Sequence, residues 1–370
     1  MKIKLTMTAA ALALSFGAHA QEVVKIGHVA PLSGAQAHYG KDNENGAKMA
    51  IEDLNKKGVT IGGKKVTFQL QSEDDAADPK QGTAAAQKLV DAKVNGVVGH
   101  LNSGTTIPAS KIYYDAGIPQ ITPSATNPKY TQQGFNTAFR IIANDNALGA
   151  ATALYAVNAL KAKKIAVIDD RTAYGQGVAD IFANTAQKAG AEIVAREYTN
   201  DKATDFNAIL TAVKAKNPDA IFYGGMDSQA GPMLRQMDQL GMKVPFLGGD
   251  GICTEQIIKI AGPAVENVVC AEGGASLQKM PGGVEWKKRY DAMFPGQFQV
   301  YSPYVYDAVM TLAAAMEKAG SADPKKYLPV LAKIQYQGVT GKVSFDSTGE
   351  LQNPAVSLYS YKGQKKTALN

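Results

Sequence analysis

Hydroxyl-bearing residues follow two apolar runs in the first half of the sequence. Ser103 and Thr105 come after the run at residues 97–99, where a helix is expected to begin, and Thr126 comes after the run at residues 120–122. Hydroxyls and the free N–H groups of a helix N-terminus bind an anion without a formal positive charge. The pattern therefore predicts a carboxylate site, although capping of the helix by Ser103 explains the same motif.

An acidic residue occupies a similar place in the second half. Asp250 follows the apolar run at residues 246–248, and Gly249 and Gly251 beside it let a ligand or another backbone approach closely. A carboxylate that faces an anion site across a cleft would bind both charged groups of a zwitterion, which favours an amino acid as the ligand. The alternative is that Asp250 is an ordinary turn residue.

Patterns typical of catalytic and metal sites are not found in the sequence. His28, His38 and His100 have no metal-ligand spacing, and two cysteines are too few for a zinc framework. There is no G-x-S-x-G or Walker A motif, and the segment at residues 175–177 lacks the third glycine of a dinucleotide fingerprint. We therefore predict a binding protein rather than an enzyme, with no cofactor and no metal.

A group of acidic side chains lies just before an expected helix. Glu73, Asp74, Asp75 and Asp78 precede the helix that begins near Pro79. Two carboxylates of this group would suit acid–base chemistry. We instead interpret the group as a solvated loop that caps the helix, because aspartate before a proline is a common helix start.

Composition and length restrict the class of protein. The chain has 370 residues, 45% of them hydrophobic, which is ordinary for a folded globular protein and predicts two domains. The net charge of +6 is spread along the chain without long basic runs, so a nucleic-acid partner is not expected.

The first 20 residues have the pattern of a secretory signal peptide. Lys2 and Lys4 precede an apolar stretch at residues 5–16, and residues 18–20 read Ala-His-Ala, which a signal peptidase accepts before Gln21. A buried N-terminal helix is the alternative. Export predicts a periplasmic protein that is not inserted in a membrane, since no later segment is apolar enough to cross one.

The periplasm is an oxidising compartment, and this bears on the two cysteines. Cys253 and Cys270 lie 17 residues apart, so they either pair as a disulfide or remain two buried thiols. We favour the disulfide, although the sequence does not fix the distance between the two side chains.

The elements that must position these residues alternate between strands and helices. Such alternation predicts an α/β fold with parallel sheets that carry helices on both faces. The strands are predicted at residues 23–30, 66–71, 97–99, 120–122, 164–169, 192–198, 220–224, 246–248, 343–345 and 356–361. The helices are predicted at residues 43–57, 80–92, 147–162, 177–189, 206–215, 231–240, 286–293, 304–319 and 326–334.

A weak internal repeat supports two similar lobes. The strand at residues 97–99 and the turn after it resemble the strand at residues 221–224 and its turn. In both halves, about twenty residues after this turn, a Gly-x-Pro or Val-Pro segment leads into another glycine- or serine-containing turn. Chance similarity among glycine-rich turns is the alternative.

Taken in order, the motifs resemble those of the branched-chain amino-acid-binding proteins of ATP-driven (ABC-type) importers, the leucine/isoleucine/valine-binding type. The resemblance extends over essentially the whole chain after residue 20. The matching motifs are Lys25-Ile26-Gly27, Pro31-Leu32-Ser33-Gly34, Tyr39-Gly40, Asp74-Asp75-Ala76-Ala77-Asp78-Pro79, Gly99-His100-Leu101, Ile121-Thr122-Pro123-Ser124-Ala125-Thr126, Tyr174-Gly175-Gln176-Gly177, Thr204-Asp205-Phe206, Tyr223-Gly224-Gly225, Leu234-Arg235-Gln236, and Phe345-Asp346 with Gly349.

The resemblance implies a type I periplasmic binding protein fold. Such a protein has two doubly wound α/β lobes, joined by three crossovers, with a cleft that closes on the ligand. The N-terminal lobe would comprise residues 21–142 and 272–349. The C-terminal lobe would comprise residues 143–271 and 350–370.

The resemblance also implies roles for individual residues. Ser103 and Thr126 would hold the ligand carboxylate, the Ser124 backbone would accept from the ammonium, and Asp250 would bind the same ammonium. The other expected ligand-binding residues, most of them on the side-chain pocket, are Tyr39, Leu101, Asn102, Ala125, Tyr174, Met226 and Gly251. Ordinary packing is the alternative for Tyr39 and Tyr174.

Several positions depart from the family pattern. The family's usual cysteine pair would fall at Ala77 and Asn102, so that bridge is not possible here, and Cys253–Cys270 would be a different one. Met226 replaces a residue that is often aromatic. Asp250 replaces a glutamate and reaches about 1.5 Å less far. These changes affect the expected specificity more than the expected fold.

The function implied by the resemblance is capture of an aliphatic, branched-chain L-amino acid and its delivery to the membrane permease of an ABC importer. The protein would act as a monomer in the periplasm. One alternative keeps the fold but binds an aromatic amino acid, a small amide or an aromatic carboxylate. The other is an exported enzyme such as a hydrolase.

Overall fold

The computed structural model describes residues 22–369, so the predicted signal peptide lies outside the described residues. The first sheet has six strands in the spatial order β2-β3-β1-β4-β5-β6. Its central strands are short, buried apolar runs, as expected for a sheet covered on both faces. The strands are β1 (Glu22–Ala30), β2 (Thr60–Ile61), β3 (Lys64–Asp74), β4 (Gly96–Gly99), β5 (Gln120–Thr122) and β6 (Ala138–Arg140).

The second sheet has seven strands in the order β15-β14-β11-β10-β9-β7-β8. A separate two-stranded hairpin joins β12 to β13. The strands are β7 (Lys164–Asp169), β8 (Glu192–Tyr198), β9 (Ala220–Gly224), β10 (Phe246–Gly248), β11 (Val268–Glu272), β12 (Tyr336–Gln337), β13 (Lys342–Val343), β14 (Ser357–Lys362) and β15 (Lys365–Ala368).

The two sheets share a winding pattern. In each, the first strand lies between the second parallel strand on one side and three further parallel strands on the other, and all of these pairs are parallel. In this comparison β4 corresponds to β9 and β5 to β10. These are the strands that the weak repeat in the sequence aligns, so the repeat reflects the topology rather than chance.

Helices cover both sheets. Helix α10 packs mainly on α1 and also contacts strands of the first sheet, so a late segment of the chain completes the first lobe. The helices are α1 (Ala37–Lys57), α2 (Pro79–Asp91), α3 (Ser103–Ala116), α4 (Asp145–Leu154), α5 (Ala173–Lys188), α6 (Asn207–Lys214), α7 (Asp227–Gln239), α8 (Gln256–Ala261), α9 (Gly283–Met293), α10 (Ser302–Ala319) and α11 (Pro324–Leu331).

The predicted α/β alternation is confirmed, but several boundaries were wrong. Helices α1, α5 and α7 begin several residues earlier than predicted, because their first turns are polar or glycine-rich and lack an apolar periodicity. Helix α4 ends at Leu154 and continues as a wider π-type turn. The short strands β2, β6, β11, β12 and β15 were not predicted; β6 and β11 are three and five residues long and depend on pairing with neighbours.

The acidic group before α2 is only partly a solvated cap. The Asp78 carboxylate accepts hydrogen bonds from the N–H groups of Lys80 and Gln81, which confirms its capping role. Asp75, in contrast, is fully buried, and its carboxylate lies 3.3 Å from the ring of buried His100. The prediction of a solvated loop was therefore wrong for Asp75, which ties two loops of the first lobe together.

Cys253 and Cys270 form a disulfide, which resolves the two alternatives left open by the sequence. Cys270 lies in β11, directly beside Gly248 of β10. The bridge therefore anchors the loop after β10 to the neighbouring strand. Within residues 22–369, no helix combines the length and the apolar character that crossing a bilayer requires.

Candidate functional site

The carboxyl ends of the parallel strands of both lobes open onto one cleft. The loops after β4 and β5 carry Ser103, Ser124 and Thr126, and the loop after β10 carries Asp250. In open α/β sheets, ligands bind beyond these strand ends, near the point where the strand order reverses. The topology thus brings together residues that lie almost 150 positions apart in the sequence.

The loop after β4 carries the hydroxyl and N–H groups that were predicted to form an anion site. Ser103 is the first residue of α3, and its side chain makes no capping bond to the helix, so the capping explanation of this motif was wrong. Its hydroxyl oxygen accepts a hydrogen bond from the N–H of Asn127 at 3.2 Å. The hydroxyl proton remains available for a ligand carboxylate, beside the N–H groups of the first turn of α3.

The loop after β5 is held by a buried arginine. The Arg140 guanidinium donates to the carbonyl oxygens of Ala125 and Asn127 and forms an ion pair with Glu350 at 3.0 Å. Arg140 is completely buried, and the Ala125 carbonyl points to it rather than into the cleft. The arginine therefore fixes the backbone on which Ser124 and Thr126 are placed.

The loop after β10 supplies the acid. Asp250 begins a short 3₁₀ turn, Asp250–Ile252, and is almost fully buried. Burial raises the pKa of Asp250 to about 7, and the nearby hydroxyls of Tyr174 and Tyr301 act against that rise. Keeping this buried carboxylate ionised without a cationic partner costs free energy. An ordinary turn residue is exposed and has no such cost.

Hydrogen bonds across the cleft hold the two lobes together. The Tyr39 hydroxyl of the first lobe donates to the carbonyl oxygen of Gly251 at 2.6 Å. The His38 ring lies 2.8 Å from the buried carboxylate of Asp227 at the start of α7. A Cβ atom on Gly251 would come within 2.6 Å of the carbonyl oxygen of Gly225, so the close approach of the backbone at this point requires glycine.

Most of the predicted ligand-binding residues line one small cavity. The space between them is about 10 Å³, because side chains from both lobes meet across it. The predicted residues Tyr39, Ala125, Thr126 and Gly251 are buried beside this cavity without lining it. The lining residues are Leu101, Asn102, Ser103, Ser124, Tyr174, Met226, Asp250 and Tyr301.

Two residues near the cavity were missed by the sequence analysis. Tyr301 precedes α10, far along the chain, and no local motif connects it with the cleft. Asp145 is the first residue of α4, and its N–H donates to the carbonyl oxygen of Thr126 at 2.8 Å. An acid in the first turn of a helix is common, so the type of residue alone gave no signal.

Unpartnered polar atoms concentrate around this cavity. Among the residues the structure describes, 14 buried side-chain atoms make no hydrogen bond, and six of them belong to the cleft. Buried polar atoms are nearly always paired, so such a concentration is the property expected of a site for a polar ligand. The six atoms are Asn102 Oδ1, Ser124 Oγ, Thr126 Oγ1, both carboxylate oxygens of Asp145, and Asp250 Oδ2.

A larger cavity, of about 400 Å³, lies elsewhere between Glu272, Lys366 and helix α9. Its buried charges satisfy one another, since Lys366 pairs with Glu272 and also donates to the carbonyl oxygen of Cys253 at 2.6 Å. None of its lining side chains within residues 22–369 is among the unpartnered buried groups. Volume alone therefore does not identify the ligand site.

Known proteins are similar in sequence over nearly the whole chain. The profile of the periplasmic binding protein family matches residues 23–366. A Leu/Ile/Val-binding protein homolog 1 of Brucella suis is 36% identical over 356 residues, which cover 96% of this chain and 94% of that protein.

Solved structures give the same result. A leucine-binding protein from Thermotoga maritima superposes with a TM-score of 0.87 at 27% identity, covering 94% of this chain and 98% of that one. A branched-chain amino acid substrate-binding protein from Streptococcus pneumoniae, solved with isoleucine, has a TM-score of 0.86 at 28% identity over 94% and 99% of the two chains. The resemblance inferred from the sequence motifs and the type I fold are both confirmed, and the chain belongs to the periplasmic binding protein family.

Proposed function

We propose that this protein captures an aliphatic, branched-chain L-amino acid in the cleft and delivers it to the permease of an ABC importer. The observation that carries the proposal is the set of unpartnered polar atoms from both lobes around one cavity. Hydroxyls on the first lobe face a carboxylate on the second, which is the arrangement that binds the two ends of a zwitterion.

The ligand would be held at three points. The Ser103 hydroxyl and the first turn of α3 would donate to its carboxylate, with Thr126 beside them. The carboxylate of Asp250 would accept from its ammonium, together with the Ser124 backbone. Charge–charge pairing in a dry cleft favours the ionised form of Asp250, which burial alone disfavours.

The side chain of the ligand would face the apolar part of the lining. Leu101 and Met226 lie on opposite lobes there, with the Tyr174 ring beside them. In an apolar pocket, the binding free energies of two ligands differ by about 1–3 kcal/mol per methylene group. Such a pocket therefore prefers some aliphatic side chains over others but does not select a single one.

Binding would require movement of the lobes. The cavity is far smaller than an amino acid, so a ligand can enter only when the lobes separate. The lobes would comprise residues 21–142 with 272–349, and 143–271 with 350–370. A permease would recognise the closed, ligand-bound form, a hinge closure of the kind known for periplasmic binding proteins.

The remaining parts of the proposal follow from the family. The protein would work in the periplasm, as a monomer and without catalytic turnover. The curated relative and the structural neighbours described above carry binding names and no enzymatic ones.

Calorimetry on two variants at Asp250 tests the proposal. Asp250→Ala should abolish binding of leucine, isoleucine and valine while the fold stays intact, because the ammonium loses its charged partner. Asp250→Glu keeps the carboxylate and should retain binding. Unchanged leucine affinity in Asp250→Ala would remove the zwitterion arrangement.

A thermal-shift screen separates the alternative ligands. A ligand present at 100 times its Kd stabilises the folded protein by about 2.7 kcal/mol, which is readily detected. Aliphatic amino acids should raise the Tm, and aromatic amino acids, small amides and aromatic carboxylates should not. Conversion of any stabilising compound during incubation would instead identify an enzyme.

A further inference from the structure

Asp145 has no ion-pair partner in its buried position. It is completely buried, and neither of its carboxylate oxygens has a hydrogen-bond partner among residues 22–369. It is not needed as a cap, because the side chain of Asn144 already accepts from the N–H of Asn146 at the start of α4. A buried acid with no ion pair and no capping role is costly to the fold.

The nearest cation does not neutralise it. The Arg140 guanidinium is engaged by Glu350 and by the carbonyl oxygens of the loop after β5. Arg140 lowers the pKa of Asp145 only as a minor influence. Burial, followed by the charge of Asp250, raises that pKa well above its usual range.

Asp145 lies at the same cleft as Asp250. Its N–H is bonded to the carbonyl oxygen of Thr126, and the Thr126 hydroxyl lies close to its carboxylate. The charges of both acids raise the pKa of Tyr174, which lines the cavity. One buried carboxylate, Asp250, therefore lines the cavity, and a second, Asp145, lies beside the Thr126 loop next to it.

We propose that Asp145 is a second acid that binds the ammonium group of the ligand, opposite Asp250. The inference rests on the proposed function and extends it to the ligand class. A single ammonium group between the two acids has enough N–H donors to bond both, so the cleft would require a positively charged amine. A carboxylate ligand without an amine would leave two acids unneutralised beside a third anion.

A pair of ligands and one variant test this role. Leucine and 4-methylpentanoate, which is leucine without its amine, are titrated by calorimetry into the wild-type protein and into Asp145→Asn. We expect the wild type to prefer leucine strongly. In Asp145→Asn leucine affinity should fall by about tenfold or more, whereas binding of 4-methylpentanoate should stay equal or improve.

The ratio of the leucine and 4-methylpentanoate affinities shows whether Asp145 contacts the ammonium or only positions Thr126. If Asp145 only held Thr126 in place, both ligands would weaken equally, and that result would overturn the proposal. Unchanged leucine affinity would overturn it as well. As a matched control, Asp307→Asn removes another buried carboxylate, one that accepts from Val339 and Thr340 away from the cleft, and should leave the ratio unchanged.

A pH profile decides the matter if 4-methylpentanoate binds too weakly to titrate. Protons compete with the ammonium for both acids, so leucine affinity should fall between pH 7 and pH 5. The fall should be shallower in Asp145→Asn, and an identical profile would contradict the proposal. Asp145→Ser replaces the asparagine variant if that variant does not fold.

Failure of this inference is distinguishable from failure of the proposed function. A wild-type protein that binds no amino acid would refute the function itself. A wild-type protein that binds leucine, with an Asp145→Asn variant that binds it equally well, would leave the function standing and refute only the role of Asp145.

Discussion

At the scale of single residues, Asp250 shows a conflict between binding and stability. Its burial raises its pKa from an ordinary 3.8 to about 7. Between these two pH values, the folded closed form therefore keeps the carboxyl proton, whereas the unfolded chain has released it. Stability is lost as pH rises through this window, because the unfolded state then binds fewer protons.

The closed form of the ligand-free protein should become more stable when Asp250 is replaced by asparagine. At pH 8 the free energy of unfolding of Asp250→Asn should exceed that of the wild type by about 1–3 kcal/mol, since no ionised group has to be buried. The difference should shrink toward pH 4, where the wild-type carboxyl is protonated in the fold. Urea denaturation at both pH values measures it.

Asp219 offers a control of the opposite sign. Its exposed carboxylate accepts from the N–H groups of Lys163 and Lys164, and these hydrogen bonds lower its pKa. Asp219→Asn should therefore reduce stability at neutral pH, and this loss should disappear as the medium becomes acidic. If Asp250→Asn and Asp219→Asn changed the stability at neutral pH in the same direction, the raised pKa of Asp250 would be contradicted.

At the scale of elements, the loop after β10 depends on the disulfide. Cys253 follows the turn that carries Asp250, and Cys270 lies in the neighbouring strand β11. The bridge encloses a short loop whose closure stabilises the fold by restricting the unfolded chain. It therefore supports both the stability of the second lobe and the position of the acid.

Removing the bridge should have two measurable effects. The double variant Cys253→Ser/Cys270→Ser should lose about 3 kcal/mol of stability, and its leucine affinity should fall because the Asp250 loop is less fixed. Thermal unfolding with and without reductant measures the first effect. The wild type should respond to the reductant and the variant should not, and a reduced wild type of unchanged Tm would refute the prediction.

At the scale of the whole molecule, the closed form rests on a few polar contacts between lobes. The Tyr39 hydroxyl bonds to the carbonyl oxygen of Gly251, and the Asn127 side chain bonds to that of Ala173 at 2.6 Å. These bonds form only when the lobes approach each other. They should therefore affect how long a ligand stays bound more than how fast it arrives.

Tyr39→Phe should weaken leucine binding through faster dissociation. Loss of one neutral hydrogen bond amounts to about 0.5–1.5 kcal/mol, which is an affinity about 2–10 times weaker. Stopped-flow measurements should show most of the change in the dissociation rate.

Tyr113→Phe is the matched control, because the hydroxyl of Tyr113 is also buried but bonds to His100 within the first lobe. This variant should leave both rate constants for leucine unchanged. Equal effects of the two variants would show that the Tyr39 bond has no special role in closure.

Local patterns were sufficient to predict the elements and most of the cleft. The apolar runs that become β4, β5 and β10 are buried, and the polar residues directly after them lie at the cleft as expected. Motif similarity supplied Tyr174 and Met226. Tyr301 and Asp145 were missed because each is brought to the site by packing of helices from distant segments, which leaves no local signal.

The sequence by itself determined the order of strands and helices, because apolar periodicity and turn residues act over a few neighbouring positions. It also determined which polar residues directly follow the strands. Only the tertiary structure decided that the buried Asp145 lies near enough to Asp250 for their charges to interact, that Arg140 is engaged elsewhere, and that Cys253 reaches Cys270. Burial and distance between remote segments set these charges and contacts, and neither quantity is local to the chain.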